Sequence, residues 1–345
     1  MSNTKFKPML RMSRVNVIET LPDQLIDHRA VQAWSQLQPE RVVPENIEVL
    51  KLKKRKSAVY RLTGVGPNGV AVIAKRCRTT TASVERVIYE TLLPRLSLPM
   101  LRCYGFVAEP EGEFSWLFLE DAVGDEYSPD DANHRALAGR WLGSVHLISR
   151  SPDAQALLPD RGPSHYLQLL RFARSGLLIH IDNPNLSGAD IALLRTVVRQ
   201  YDDIEMHWEE LERFFKEMPR TLVHGDFVIK NIRIRPGTSG SELLVFDWEM
   251  SGWGVPATDL SAVGLCVRPD LETYGAVLRQ DWPHLNTHDI RQLADYGNLL
   301  RLLDKIYWVM ISMRGDTYEY LLKPLLTIRK YESQLTPTMQ TLNWR

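Results

Sequence analysis

Two short polar motifs, each set at the end of an apolar run, constrain this chain more tightly than any other feature. His224-Gly225-Asp226 is followed by Asn231, and Asp247-Trp248-Glu249 begins sixteen residues after that asparagine. The runs Thr221-Leu222-Val223, Ile232-Arg233-Ile234 and Leu243-Leu244-Val245-Phe246 read as short strands, with Pro236-Gly237-Thr238-Ser239-Gly240 as the turn between the last two. Asp226, Asn231 and Asp247 therefore belong to strand ends or adjoining loops. A single aspartate or asparagine in such a place is usually a turn residue or helix cap. HGD with its asparagine, then a strand ending in DWE, then Gly252, Pro256 and Asp259-Leu260, is a far more specific combination.

The residue types suit phosphoryl transfer, in which the protein supplies little covalent chemistry. It needs a carboxylate beside the attacking hydroxyl and oxygen ligands for a divalent cation. Asp226 is suited to accept a proton from a hydroxyl, while the Asn231 and Asp247 side-chain oxygens suit magnesium. With these motifs the chain resembles the aminoglycoside phosphotransferase and choline kinase superfamily, small-molecule relatives of the protein kinases. The resemblance implies ATP and Mg2+ as cofactors, Asp226 as catalytic base, and Asn231 and Asp247 as the metal ligands. It also implies that His224 supports the loop and that Asp259 is a buried organiser; a packed histidine and a helix cap are equally good readings of those two.

The expected fold is α+β, a bilobal protein-kinase-like fold. Its N-lobe has a five-stranded antiparallel sheet plus one helix, and its C-lobe is mainly helical. Residues 1–45 read as an arm and helix, 46–122 as the nucleotide-binding lobe, and 123–345 as the lobe carrying the catalytic loop and substrate pocket. Residues 1 to about 20 show no periodicity. A helix is expected over 27–37, where Val31, Trp34 and Leu37 are spaced three apart. Strands follow over 47–52, 58–63, 70–76, 102–108 and 114–119. A helix over 84–93, opened by Thr81-Ala82-Ser83 and closed by Pro94, lies after the third strand.

Lys75, on the third strand, is the candidate for steadying the α- and β-phosphates of a nucleotide. The resemblance selects Glu85 on the following helix as its partner, with Glu90 as the alternative. Kinase-like proteins place a Gly- or Ser-rich turn between the first two strands, so that backbone N–H groups meet phosphate. Here that turn is Lys53-Lys54-Arg55-Lys56-Ser57, without glycine. Its cations are candidates for direct phosphate contact and Ser57 for a hydrogen bond; an exposed basic hairpin is the plainer reading. The resemblance puts the hinge at Trp116–Ala122, with backbone groups near Glu120 and Ala122 meeting the purine edge.

Beyond the hinge, helices are expected over 134–148 (Leu137, Trp141, Val145 and Ile148 on one face), 203–218, 288–313 capped by Thr287, and onward from about Thr317. His146 reads as a packed histidine. Only eleven residues separate Asp247 from Asp259, too few for a regulated activation segment, and HGD lacks the arginine that phosphorylated activation loops engage. Both points favour a small-molecule hydroxyl as acceptor. Asp125, Glu126, Asp295, Asp304, Tyr296, Tyr307 and Trp308 are candidates for its pocket, and acids with aromatics suit a cationic, amine-bearing alcohol. An aminoglycoside, a macrolide, choline, a sugar or a biosynthetic intermediate all fit, and antibiotic resistance is one possible role. The rival reading is a catalytically silent kinase fold that binds nucleotide or a partner.

The chain carries no net charge, yet residues 1–122 sum to +5 and residues 123–345 to −5. A basic part facing a polyphosphate accounts for the split, as does ordinary solvated surface. No basic stretch is interleaved with an aromatic platform, so nucleic acid is not an expected partner. No apolar run approaches the length of a membrane span, and the basic N-terminus lacks the apolar core of a signal peptide. The expected setting is the cytoplasm. Cys77, Cys103 and Cys266 are odd in number and widely spaced, which excludes a disulfide framework or a zinc knuckle.

Overall fold

The computed structural model describes residues 17–21, 23, 25–38, 42–53, 57–147, 152–238, 240–313, 317–342 and 344. They form two compact units. The first runs to Ser128 and includes Val228–Glu249; the second comprises Pro129–Phe227 and the residues from Met250 onward.

In the first unit, β1 (Glu19–Leu21), β2 (Ile47–Lys53), β3 (Ser57–Leu62), β4 (Val72–Arg78), β5 (Cys103–Ala108) and β6 (Phe114–Glu120) form one sheet. Its order is β1-β2-β3-β4-β6-β5, and every pairing is antiparallel. The five expected strands are all present. The sixth, β1, adds to the edge of β2 through Glu19↔Val49 and Leu21↔Ile47. Its three largely exposed residues show no alternation, so a loose arm was the natural expectation. β4 begins two residues later than expected, because the preceding turn continues through a short helical turn at Pro67–Gly69.

Helix α1 (Arg29–Ser35) is capped by His28, whose Nδ1 accepts from the Ala30 N–H at 3.3 Å. Its Ala30, Val31 and Trp34 pack on one face of the sheet with Ile47, Leu62, Val72, Ala74, Trp116 and Phe118. Helix α2 (Thr79–Val87) starts where β4 ends, earlier than the Thr81 signal suggested. It then widens into a five-residue π turn over Ile88–Leu92 and stops at Leu93–Arg95, where Pro94 ends it as expected. Strand β7 (Asp125–Glu126) follows β6 after a short link.

The second unit is mostly helical. α3 (Ala132–His146), α4 (Pro152–Leu157), β8 (Asp160–Arg161), α5 (Pro163–Ile181), α6 (Gly188–Met206), α7 (Trp208–Lys216) and β9 (Thr221–Val223) come first. Ile148, assigned to the α3 face, lies outside the described residues. The helix expected over 203–218 is two helices. The break falls at His207 (φ −95°, ψ 9°), whose ring Nδ1 bonds the Asp203 carbonyl at 2.8 Å and satisfies the end of α6.

The chain then returns to the first unit for the hairpin β10 (Ile232–Gly237) and β11 (Gly240–Val245). Its register runs from Ile232↔Val245 to Gly237↔Gly240, and β7 pairs with its outer side at Arg233↔Glu126. Back in the second unit, β12 (Gly252–Gly254) lies between β8 and β9. α8 (Leu271–Leu278), α9 (Thr287–Ser312) and α10 (Tyr318–Leu342) complete the chain. The cap of α9 is Asn286 and not Thr287, in a capping box closed by Asp289. A side chain at Gly297 would collide with the Ala257 carbonyl, so glycine there lets α9 close on the segment that carries Asp259.

Candidate active site

Within the first unit, the sheet face opposite α1 borders a cavity of about 430 Å3. Leu50, Val59, Ile73, Leu101, Leu119 and Phe246 form its apolar lining. Its polar side chains include Lys51, Lys75, Glu85, Lys230, Asn231 and Asp247, and Glu120, Asp121 and Ala122 border it where β6 ends. This volume lies within the range of small-molecule pockets, and the mix of apolar walls with a few convergent polar groups is typical of them.

Lys75 is the hub. Its Nζ meets Glu85 Oε1 at 2.5 Å, makes a short ion pair with the Asp247 carboxylate, and stands 3.4 Å from Glu249 Oε2. Lys75 and Glu85 are buried, as is Asn231. Burial pulls the Lys75 pKa down, but the three carboxylates outweigh it and hold the amine well above its ordinary value. Burial pushes Glu85 up to about 7 against the pull of Lys75. Asp247 is drawn below its ordinary range: burial opposes this, and Lys75 followed by Lys51 and Lys230 overcomes it. Glu90, the alternative partner, is exposed and bonds Arg86 at 2.7 Å.

Carboxylate oxygens of Glu85, Asp247 and Glu249 all lie within 4.8 Å of one another. Three negative charges around one ammonium suit a further hard cation, and oxygen donors match magnesium. Glu249, unassigned from sequence, is part of this cluster. Asp247 has φ +67°, a left-handed conformation that few side chains tolerate.

The remaining expected nucleotide contacts divide. Glu120 and Ala122 line the cavity. The Glu120 carboxylate accepts from the Arg102 N–H at 3.0 Å and from Arg235 Nη1 at 3.1 Å, so that side chain is committed elsewhere. Ser57 does not line the cavity. It borders a separate hollow with Lys53, Tyr60 and Arg76. Lys54, Arg55 and Lys56 lie outside the described residues.

The second unit holds the HGD segment. Gly225 has φ +74°, and a Cβ there would run into the Met250 carbonyl. The Asp259 carboxylate takes the backbone N–H of His224 at 2.6 Å and of Gly225 at 2.9 Å, one on each oxygen. His146 Nε2 lies 3.5 Å from the same carboxylate, and its Nδ1 bonds Tyr274 Oη at 2.8 Å. His224 turns its Nδ1 back to accept the Asp226 N–H at 3.2 Å. Asp259 and His224 thus organise backbone through hydrogen bonds, and His146 is a packed residue with two partners.

Asp226 Oδ1 receives Arg301 Nη2 at 2.6 Å, and Arg301 Nη1 reaches the Gly225 carbonyl at 3.2 Å. Lys305 Nζ stands 3.9 Å from the same carboxylate oxygen. Asp304 lies 3.5 Å from Arg301 and accepts the Trp308 indole N–H at 3.0 Å. Arg301 was not expected from sequence, although an arginine inside the apolar run Leu299-Leu300-Arg301-Leu302-Leu303 is itself a signal that a buried acid needs a partner. Of the residues proposed for an acceptor pocket, Tyr296 is core: its ring packs on Phe214 and Phe215, with centroids 4.9 and 5.3 Å away. Asp125 and Glu126 are exposed on β7, in the first unit.

Residues 55–293 match the model of the phosphotransferase enzyme family, and the chain belongs to that family. It is an enzyme of the small-molecule phosphotransferase class, with a protein-kinase-like α+β fold. Among solved structures it is similar to APH(2")-IIa in a ternary complex with streptomycin and ATP. The identity is 13%, the TM-score 0.56, and 90% of this chain and 98% of that one are covered. It is also similar to choline kinase from Cryptosporidium parvum Iowa II (12% identity, TM-score 0.55, 86% and 93% covered). A third is spectinomycin phosphotransferase APH(9)-Ia with ADP and spectinomycin (11% identity, TM-score 0.54, 87% and 94% covered). None of the curated proteins matches the chain in sequence. No described helix is long and apolar enough to cross a membrane.

Proposed function

We propose that this phosphotransferase is an ATP- and Mg2+-dependent kinase that moves the γ-phosphoryl group to a hydroxyl of a small molecule. The observation that carries the reading is Lys75 held between Glu85 and Asp247 in a cavity with an apolar floor. Such a lysine neutralises phosphate oxygens, and a pocket walled by Val59, Ile73, Leu119 and Phe246 accepts a flat purine. Backbone groups at Glu120 and Ala122 are the proposed contacts to its edge. Asn231 and Asp247 would hold magnesium, which supplies charge neutralisation on the phosphates when bound. Asp226, fixed by Arg301, would accept the hydroxyl proton. Solved structures of similar fold include one with ATP and streptomycin and one with ADP and spectinomycin, which supports a nucleotide donor and a small-molecule acceptor.

Asp226→Ala tests the assignment. Turnover should disappear while magnesium-dependent ATP binding, read by calorimetry, stays within a few-fold of the unchanged protein. Retained turnover removes Asp226 from the role of base. Incubating the protein with ATP, magnesium and a panel of aminoglycosides, macrolides, amino alcohols and sugars, and reading the mass gain of one phosphate, identifies the acceptor class.

A further inference from the structure

The β2–β3 pairing contains an irregularity with a directed outcome. Ile47 pairs with Leu62 and Val49 with Tyr60; Ile47 and Leu62 belong to the core on the α1 side, and Tyr60 packs against it. Strict alternation would send residue 51 to that same face, because side chains two apart along a strand share a side. The register instead slips between Val49 and Lys51, leaving Leu50 as the extra residue, and Lys51 pairs with Val59. One inserted residue moves everything beyond it to the opposite face. Leu50 and Lys51, successive in sequence, consequently both line the cavity.

The slip sets up a row across three strands. Lys51 is opposite Val59, Val59 is opposite Lys75, and all three border the cavity. At the usual strand spacing the Cα atoms of Lys51 and Lys75 are about 10 Å apart. At that spacing both ammonium groups are within reach of a single polyphosphate. Lys75 is committed to Glu85 and Asp247, whereas Lys51 is half-exposed and, among the described residues, has no carboxylate in ion-pair contact. The turn after β2 carries no glycine in its sequence, and a lysine aimed into the cavity offers phosphate a charge-assisted contact of its own.

We propose that Lys51, turned into the cavity by the Leu50 bulge, binds the phosphate chain of the nucleotide and does the work of a glycine-rich turn. The inference rests on the kinase reading above. Calorimetric titration of the full chain with ATP, ADP and adenosine, all with magnesium, tests it on Lys51→Met and Lys51→Arg. A lost charge-assisted contact predicts ATP binding weakened about 10- to 100-fold in Lys51→Met, with adenosine unchanged and Lys51→Arg near the unchanged protein. ATP bound equally well by Lys51→Met and the unchanged protein overturns the inference alone. So does a parallel loss for adenosine, which marks a disturbed pocket. If the unchanged protein binds neither ATP nor GTP, the kinase reading fails and takes this inference with it.

Discussion

Arg301 Nη2 lies 2.6 Å from Asp226 Oδ1, and the same guanidinium reaches back to the carbonyl of Gly225. A helix residue thereby fixes both the carboxylate and the backbone that carries it. The carboxylate is held by a side chain with almost no freedom, since Arg301 is only 6% exposed. Preorganisation of this kind lowers the cost of bringing a base to its substrate.

Arg301→Leu should therefore destabilise the protein by about 3 to 5 kcal/mol, because Asp226 and Asp304 lose the cation between them. Arg301→Lys keeps charge but not the two-point grip. It should unfold in urea close to the unchanged protein yet show kcat reduced about tenfold or more, with KM for ATP unaltered. A fall in KM and kcat together would assign Arg301 a different part.

Removing Lys75 exposes the opposite imbalance. In Lys75→Met, Glu85, Asp247 and Glu249 face one another without their ammonium, and stability at pH 8 should drop by about 3 kcal/mol. Millimolar Mg2+ should raise the melting temperature of this variant more than that of the unchanged protein, because the carboxylates then share the metal. Equal shifts would show that Lys75 does not compete with magnesium for these carboxylates, and no shift in either protein would show that the cluster does not bind it.

Asp259→Asn distinguishes a charged anchor from a merely polar one. Each carboxylate oxygen of Asp259 receives one backbone N–H, so an amide must turn its NH2 toward one of them. The expected cost is about 2 to 3 kcal/mol, read by urea unfolding, with a loss of turnover from the displaced HGD loop.

His165 provides a pH signature remote from the chemistry. Burial, reinforced by Arg161, lowers its pKa to about 4. The unfolded chain takes up this proton near pH 6.5 and the folded one does not, so the neutral ring's contribution is complete above pH 6.5 and is lost as pH falls toward 4. Unfolding free energies at pH 7.5 and 5.0 should differ by about 1 to 2 kcal/mol more in the unchanged protein than in His165→Gln, allowing for partial solvent screening. Identical differences would mean that the ring is not excluded from solvent charge.

Five strands, the helix after β4 and the run of α9, though not its Asn286 cap, were legible from alternation, turn residues and helical spacing, signals that act within a few residues. So were Lys75 and Glu85 as partners, though only the resemblance favoured Glu85 over Glu90. The features that escaped depend on distant contacts. Arg301 finds Asp226 across 75 positions of sequence. The break at His207 is invisible to periodicity, because the helices on either side are both amphipathic. Ser57 was placed toward phosphate from its position beside the turn alone, whereas it borders a hollow with Lys53, Tyr60 and Arg76; the slip that turns Lys51 into the cavity carries no local residue signature either.

Asp247 joins two demands that are seldom met by one side chain. Its carboxylate serves the Lys75 cluster, and its backbone sits at φ +67°. Asparagine tolerates the angle but loses the charge, glutamate keeps the charge but strains the backbone, and glycine relieves the strain with nothing to offer the cation. The position has no neutral neighbour in sequence space. For anyone engineering this enzyme, Asp247→Asn removes the charge while keeping a side chain that accepts the backbone angle.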